Sequence, residues 1–76
     1  MRAYVFISVA AGKSAEVAKV LAEIPGVKSA DSCWGRPDII AQVEAADLKE
    51  LNTLVLSQIQ KVEGIESTDT RIVIEF

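Results

Sequence analysis

The chain follows one plan twice: an apolar strand, an amphipathic helix that closes at a glycine, and a second strand. Residues 24–27 (Ile-Pro-Gly-Val) close the first helix. Residues 62–65 (Val-Glu-Gly-Ile) close the second helix, 38 residues further along the 76-residue chain. Two such units joined directly have few ways to fold. Right-handed crossovers place both helices on the same face of one sheet.

The first strand, residues 3–9, is apolar on both faces. Strict alternation puts one set of side chains on one face (Val5, Ile7 and Val9) and another set on the opposite face (Tyr4, Phe6 and Ser8). Helices can cover only one of these faces. We therefore expect a second sheet to cover the other, which predicts a sheet-to-sheet dimer.

The rest of the first half predicts a helix and an edge strand. Ser14 is the expected N-cap, and the helix has a buried stripe at helical spacing (Val17, Val20, Leu21 and Ile24). Pro25 and Gly26 end the helix because proline cannot continue its hydrogen bonds. Residues 27–34 then form a polar strand, as is typical of a sheet edge.

The second half repeats the pattern with a stronger cap. Residues 38–45 predict a strand whose core face carries Ile39, Ala41 and Val43. Asp47 caps the next helix, and Glu50 three residues later gives a capping-box pattern. The expected buried stripe is Leu48, Leu51, Val55, Ile59 and Val62, widened by Leu54, with Leu56 outside it. The last strand is residues 65–76, with one face formed by Thr68, Thr70, Ile72, Ile74 and Phe76.

This order, β-α-β-β-α-β, predicts an α+β, ferredoxin-like fold with a four-stranded antiparallel sheet. The 76 residues make one domain, 1–76, close to the lower size limit for independent folding. Half of the residues are apolar, more than one small core can hide, so we expect a homo-oligomer.

Charge and composition exclude several classes of function. The net charge is −3 and the eight basic residues are scattered, which argues against direct nucleic-acid binding. No apolar run approaches the ~20 residues that span a bilayer, and no leader pattern is present. With one cysteine, Cys33, these features predict a cytoplasmic protein.

Catalytic chemistry lacks its usual residues. The chain has no histidine, and therefore no ordinary general base near neutral pH. It also has no pair of histidines or cysteines for a transition metal, and no phosphate-binding glycine motif. We expect no cofactor and no enzymatic activity.

Two segments carry candidate binding residues. The first comprises Gly35, Arg36, Pro37 and Asp38: its glycine allows close approach of a ligand, its guanidinium suits a carboxylate, and its Asp accepts hydrogen bonds from an ammonium group or from backbone amides. The second comprises Thr68, Asp69 and Thr70, where two hydroxyls share one strand face. An ordinary hairpin turn and the β-propensity of threonine explain the same residues without a ligand.

Several of these motifs occur together, in order, in a known family. They include Gly12-Lys13, the Ile-Pro-Gly-Val of residues 24–27, Gly35-x-x-Asp38-Ile39-Ile40, the Asp47-Leu48 helix start, Gly64-Ile65 and Thr68-x-Thr70. Over nearly its whole length the chain resembles the effector-binding (RAM) domain of the Lrp/AsnC transcription regulators.

The resemblance implies a dimer built by packing two sheets, assembled further into an octamer or decamer. It implies an amino-acid effector bound between dimers, with the Gly-x-x-Asp turn and the Thr-x-Thr strand lining the site. The helix-turn-helix of full regulators is not found in this sequence, so we expect a stand-alone effector domain that co-assembles with full-length regulators. Where the family turn usually has an aromatic residue before its Asp, this chain has Pro37.

Two other functions fit the same fold. One is an enzyme of the dimeric α+β barrel type, which requires polar side chains in a pocket between sheet and helices. The helix-facing strand residues expected here are all apolar, which argues against it. The other is an oligomerisation module that binds no ligand.

Overall fold

The computed structural model describes residues 1–76 and has the predicted order of elements. The strands are β1 (Arg2–Val9), β2 (Val27–Ser32), β3 (Ile39–Glu44) and β4 (Ile65–Ile72). The helices are α1 (Ser14–Ala22) and α2 (Leu48–Thr53), and α2 continues as a π-helical segment, Leu54–Ile59. The strands form one antiparallel sheet in the order β2-β3-β1-β4. This confirms the ferredoxin-like prediction.

The core lies between the sheet and the two helices. The inward residues of β1 and β3 are buried, as alternation predicts, and they form one cluster with the buried faces of α1, α2 and the π segment. No buried residue is polar or charged, although the hydroxyl oxygen of the partly buried Ser29 is inaccessible and unpaired. We call this side of the sheet the inner face and the opposite side the outer face.

Helix α1 begins differently from the prediction. Lys13, not Ser14, is its N-cap, and no side chain caps the helix. Ser14 is the first helical residue, and its hydroxyl donates a long bond to the Ser32 hydroxyl instead (3.4 Å). Val20 is 42% exposed and so does not join the buried stripe, which Val17 and Leu21 provide. The Ser14 cap and the Val20 burial were wrong.

Helix α2 begins as predicted: Asp47 Oδ1 accepts the backbone N–H of Glu50 at 2.8 Å. Leu48 is half-exposed and is not part of the core, whereas Leu56 is exposed as expected. The buried residues Leu51, Val55 and Ile59 are spaced by four, which exceeds the 3.6 residues of an α-helical turn. The wider turns of the π segment compensate for this spacing, and Val55 and Ile59 share one core with Leu51 of α2.

Two strands are shorter than predicted. β2 ends at Ser32 rather than Trp34, because Cys33 already donates its N–H to the carbonyl of Asp38 and starts the turn. β4 ends at Ile72, beyond which only Val73 makes a further backbone hydrogen bond to the first strand, at Arg2. β2 and β4 are the two edges of the sheet.

The outer face has an apolar centre and a charged rim. The register places Phe6 beside Ile40 of β3, and Tyr4 projects from the same face. The guanidinium of Arg71 lies over the Phe6 ring, 5.2 Å from its centroid. Three exposed ion pairs flank this centre: Arg2–Glu75, Lys28–Glu44 and Arg71–Asp69. No helix or strand of the chain packs on this strip; Tyr4 is exposed, while Phe6, under Arg71, and Ile40 are partly buried. No helix has the length and apolar character needed to cross a membrane.

Candidate functional site

The turn formed by residues 35–38 connects β2 to β3 and is shaped by its own backbone. Gly35 has φ +100°, a left-handed conformation that side chains disfavour, and open space lies around it. The Arg36–Pro37 peptide bond is cis. The Arg36 side chain is largely exposed, so a ligand can reach its guanidinium.

Asp38 is the anchor of this turn. Its Oδ2 accepts the backbone N–H of Val9 at 2.9 Å and the Nη1 of Arg36 at 3.3 Å. Its own N–H donates to the carbonyl of Ile7 at 3.0 Å. The carboxylate therefore binds a backbone amide of β1 rather than one of its own turn. The second carboxylate oxygen, Oδ1, has no partner in the chain.

The turn also presents donors without acceptors. The backbone N–H groups of Trp34, Gly35 and Arg36 make no hydrogen bond within the chain. Beside them, the Trp34 side chain is fully exposed. Three amides next to a guanidinium form a local surface that suits a carboxylate.

The register of β4 separates the three residues predicted in its first half. Thr68 pairs with Ile7 and Thr70 with Val5, so both threonines lie on the inner face. Asp69 pairs with Phe6 on the outer face, where Arg71 Nη2 donates to its carboxylate at 2.9 Å. The two hydroxyls share a face as predicted, but Asp69 points away from them.

Gln60 is a polar contact of this strand that sequence analysis missed. Its Nε2 donates to Thr68 Oγ1 at 2.8 Å, and its backbone N–H closes the π segment on the carbonyl of Val55. Gln60 and Thr68 line a shallow notch of about 230 Å³ together with Ile65, Glu66 and Ser67. Small-molecule sites usually enclose roughly 300–1,000 Å³. The notch alone therefore does not enclose a ligand.

The two candidate segments lie at the same end of the sheet, on opposite sides of β1. Ile7 pairs with Ile39, next to the turn, and also with Thr68 on β4. Two strand spacings, roughly 10 Å, therefore separate the segments. No hydrogen bond joins the two segments. Asp38 accepts a hydrogen bond from β1, and Thr68 accepts one from Gln60. No group of three or more His, Cys, Asp or Glu side chains is placed to hold a metal.

Comparison with known proteins gives a consistent family match. The sequence profile described as "Lrp/AsnC ligand binding domain" matches residues 2–76. An uncharacterized HTH-type transcriptional regulator of Pyrococcus furiosus, PF1231, is 39% identical over 70 residues, which cover 92% of this chain and 47% of that protein. The regulator FL11 of Pyrococcus horikoshii is 33% identical over 75 residues, 99% of this chain and 49% of that protein. The chain spans about half the length of these curated relatives.

Solved structures agree. The hypothetical protein PHS023 of Pyrococcus horikoshii superposes with a TM-score of 0.90 at 36% identity, covering 99% of this chain and 90% of that one. FFRP-DM1 gives a TM-score of 0.90 at 37% identity, covering 96% and 97%. AsnC of E. coli shares the fold with a TM-score of 0.90 at 22% identity, over 99% of this chain and 51% of that one. A homocitrate synthase of Sulfurisphaera tokodaii is 41% identical over 59 residues, only 13% of that enzyme.

Proposed function

Because this chain belongs to the Lrp/AsnC ligand-binding domain family, we propose that it binds an effector and that this effector is an amino acid. The observation that carries the proposal is the 35–38 turn, which presents unpaired donors beside an unpaired acceptor. The amides of residues 34–36 and the guanidinium of Arg36 suit the α-carboxylate. Asp38 Oδ1 suits the α-ammonium group.

The proposed site needs a second chain. Neither the turn nor the Thr68 notch encloses a small molecule, and they lie roughly 10 Å apart across β1. A neighbouring subunit that packs against this end of the sheet would close the site. We propose that the turn of one dimer and the inner-face threonines, Thr68 and Thr70, of another line it together. Asp69 lies on the outer face. We therefore propose that it contributes to the site only indirectly, through the contact between the two sheets of a dimer.

The proposed assembly begins with the outer face. No element of the single chain packs on its apolar centre, where Tyr4 is exposed and Phe6 and Ile40 are partly buried. A second sheet is the cover that such a face fits. Dimers would then join into an octamer or decamer, with the effector at the contacts between them. Ligand binding at such contacts biases assembly, because a ligand stabilises the state that binds it.

A regulatory role follows from the relatives. The similar regulators are HTH-type proteins, and the present chain matches about half of their length. We propose that this cytoplasmic protein transmits its effector state by co-assembly with full-length Lrp/AsnC regulators, since its own scattered basic residues form no nucleic-acid surface. An enzymatic role is disfavoured because no polar or charged side chain is buried under the helices.

The test is a thermal-shift screen of the twenty amino acids at millimolar concentration, followed by the Asp38→Asn variant. A bound effector at a 100-fold excess over Kd stabilises the fold by about 2.7 kcal/mol. Asp38→Asn keeps an oxygen that can accept the Val9 N–H, so it preserves the anchor while removing the charge that would hold an ammonium group. We expect a ligand shift in the parent chain and its loss in this variant.

The matched control is Glu23→Gln, the same chemical change at an exposed carboxylate that makes no ion pair. It should keep the full ligand response. A flat response of the parent chain to all twenty amino acids would refute the sensor and leave the ligand-free oligomerisation module. An unchanged response of Asp38→Asn would remove the turn from the site.

A further inference from the structure

Two residues of β4 carry opposite charges beside the apolar centre of the outer face. In the ladder between β1 and β4, Asp69 pairs with Phe6 and Arg71 pairs with Tyr4, so both charged side chains project from this face. Arg71 Nη2 donates to Asp69 Oδ2 at 2.9 Å, and both side chains remain more than half exposed. Their charges are therefore still accessible to a second molecule.

The opposite edge of the same face carries another carboxylate. Asp31 of β2 pairs with Ile40, and Ile40 in turn pairs with Phe6. Asp31 and Asp69 therefore lie at the two ends of one row across the sheet. Asp31 is exposed and makes no ion pair. The neighbouring row, that of Arg71, contains no acidic residue.

A second copy of the chain can stack on this face about a two-fold axis in two ways that keep the strands aligned. An axis along the strands exchanges the two edges of the sheet, so Asp69 would face Asp31 of the second copy. An axis across the strands exchanges the two rows, so Asp69 would face Arg71 of the second copy. Like charges oppose association and opposite charges favour it, so the charges select the second arrangement.

The apolar centre fits the same arrangement. The axis lies between the row of Phe6 and the row of Tyr4, and it therefore passes through the middle of the apolar strip. The strip of one copy then covers the strip of the other. Stacked sheets lie roughly 10 Å apart, a gap that aspartate and arginine side chains span from opposite sides. The four charges from the two copies alternate in sign.

We propose that Asp69 and Arg71 select the dimer partner of this chain. The partner is a second copy whose sheet stacks with its strands reversed, so that each Asp69 faces the Arg71 of the other copy. This inference rests on the proposed sheet-to-sheet dimer and names the residues that decide which sheet is accepted. A related chain with the same order of acid and base fits this surface, whereas one with the opposite order is repelled at both contacts.

The experiment changes the sign of the charge at one position at a time. Asp69→Arg leaves two cations on the face, and Arg71→Asp leaves two carboxylates. Light scattering over a dilution series gives the dimer Kd of each variant, and native mass spectrometry identifies heterodimers in an equimolar mixture. Glu23→Arg and Lys61→Asp are the matched controls: they make the same charge changes at exposed residues that form no ion pair, at the ends of the two helical segments.

We expect each variant alone to raise the dimer Kd at least about tenfold, because like charges then meet at both symmetry-related contacts. The equimolar mixture should return to dimers, and these should be heterodimers, since every cation again faces a carboxylate. The two controls should dimerise like the parent chain, and their mixture should show no preference for heterodimers. Asp69 and Arg71 are exposed, so circular dichroism should show that both variants are folded.

Four results would overturn the inference. If Asp69→Arg alone dimerises more tightly than the parent chain, the sheets stack in the other arrangement, with Asp69 facing Asp31. If the single variants dimerise like the parent, the charged pair does not lie at the contact, and the proposed dimer stands without it. If the mixture stays dissociated, the two positions do not face each other. If the parent chain is itself a monomer, the proposed dimer fails as well.

Discussion

At the scale of single residues, the turn glycines show how similar backbone conformations serve different purposes. Gly26 and Gly35 have nearly equal positive φ values, +98° and +100°. A Cβ on Gly35 would meet nothing within 4 Å, whereas a Cβ on Gly26 would lie 3.0 Å from Leu54 Cδ2 and 3.3 Å from the Glu44 carbonyl. Gly35 shapes a surface turn, and Gly26 allows two elements to pack.

The comparison of Gly26→Ala with Gly35→Ala separates these effects. Both substitutions place a Cβ in a left-handed conformation, which costs roughly 1–2 kcal/mol. Gly26→Ala must also displace the Leu54 side chain at the edge of the core. We therefore expect it to lower the free energy of unfolding by about 1–3 kcal/mol more than Gly35→Ala, as overpacking does. Urea unfolding at one fixed protein concentration measures both values. Equal losses for the two variants would show that the crowding at Gly26 relaxes freely.

Residue chemistry was easier to predict than residue geometry. The sequence analysis anticipated that Asp38 could accept a backbone amide, but not that the amide is that of Val9, because this contact depends on how two distant strands align. The alternation rule placed Thr68 and Thr70 together, and the same rule puts Asp69 on the other face. Gln60 had no pattern that marked it, since its contact with Thr68 depends on the pitch of the preceding helix.

At the scale of elements, the two helices are similar in sequence plan but begin by different means. Asp47 accepts the Glu50 N–H at 2.8 Å, while α1 has no side-chain cap. The sequence predicted both caps from residue type, and the prediction for Ser14 was wrong because Ser14 already lies inside the helix. Aspartate and serine are both good caps, so composition alone does not distinguish the two cases.

Asp47→Ala and Ser14→Ala test this difference. Loss of a bonded N-cap costs about 1 kcal/mol, within a range of roughly 0.5–2. We expect Asp47→Ala to lower Tm by about 4–8 °C, the usual effect of 1 kcal/mol in a domain of this size. Ser14→Ala removes only a 3.4 Å contact between hydroxyls and should change Tm by less than half as much. A larger loss for Ser14→Ala than for Asp47→Ala would restore Ser14 as a cap.

The π segment marks where a periodic pattern was insufficient. Apolar residues at 51, 55 and 59 fit a helix, and the sequence analysis assigned one accordingly. A regular four-residue spacing drifts around an α-helix by about 40° per step, since four residues exceed one 3.6-residue turn. The structure offsets that drift by widening the helix over Leu54–Ile59, and Leu51, Val55 and Ile59 lie in one core with the sheet. Local propensity does not contain that information.

At the scale of the whole molecule, one sheet face is packed and the other is uncovered. The inner face meets the helices through the 14-residue core, whereas the outer face carries Tyr4, Phe6 and Ile40 flanked by exposed ion pairs. The sequence predicted the fold and the surplus apolar face from alternation along β1. It did not predict the charged rim, because the register that places Asp69 and Arg71 beside β1 is a tertiary property.

Phe6→Glu tests the proposed dimer contact. Phe6 lies at the apolar centre of the outer face, and the one cation beside it, Arg71, already pairs with Asp69. A carboxylate buried there on dimer formation would therefore lack a partner of its own, which costs several kcal/mol. We expect the dimer Kd to rise by at least about 100-fold, while the fold itself persists because the side chain points away from the core. Light scattering coupled to size-exclusion chromatography gives the subunit number. Val20→Glu, on α1, is the control and should leave that number unchanged. Persistence of the parent assembly in Phe6→Glu would place the dimer contact elsewhere.

The strand order has a consequence for the doubled sequence plan. All three ladders join a strand of one half to a strand of the other: β1 with β3, β1 with β4, and β2 with β3. Neither half pairs its own two strands. A fragment that ends in the 35–38 turn would therefore carry two strands with no ladder between them, and so would the fragment that begins there. The two halves therefore depend on each other for their sheet. We expect a sheet to form again only when the two separate peptides are mixed. This makes the turn a suitable place to split the protein into a two-part reporter.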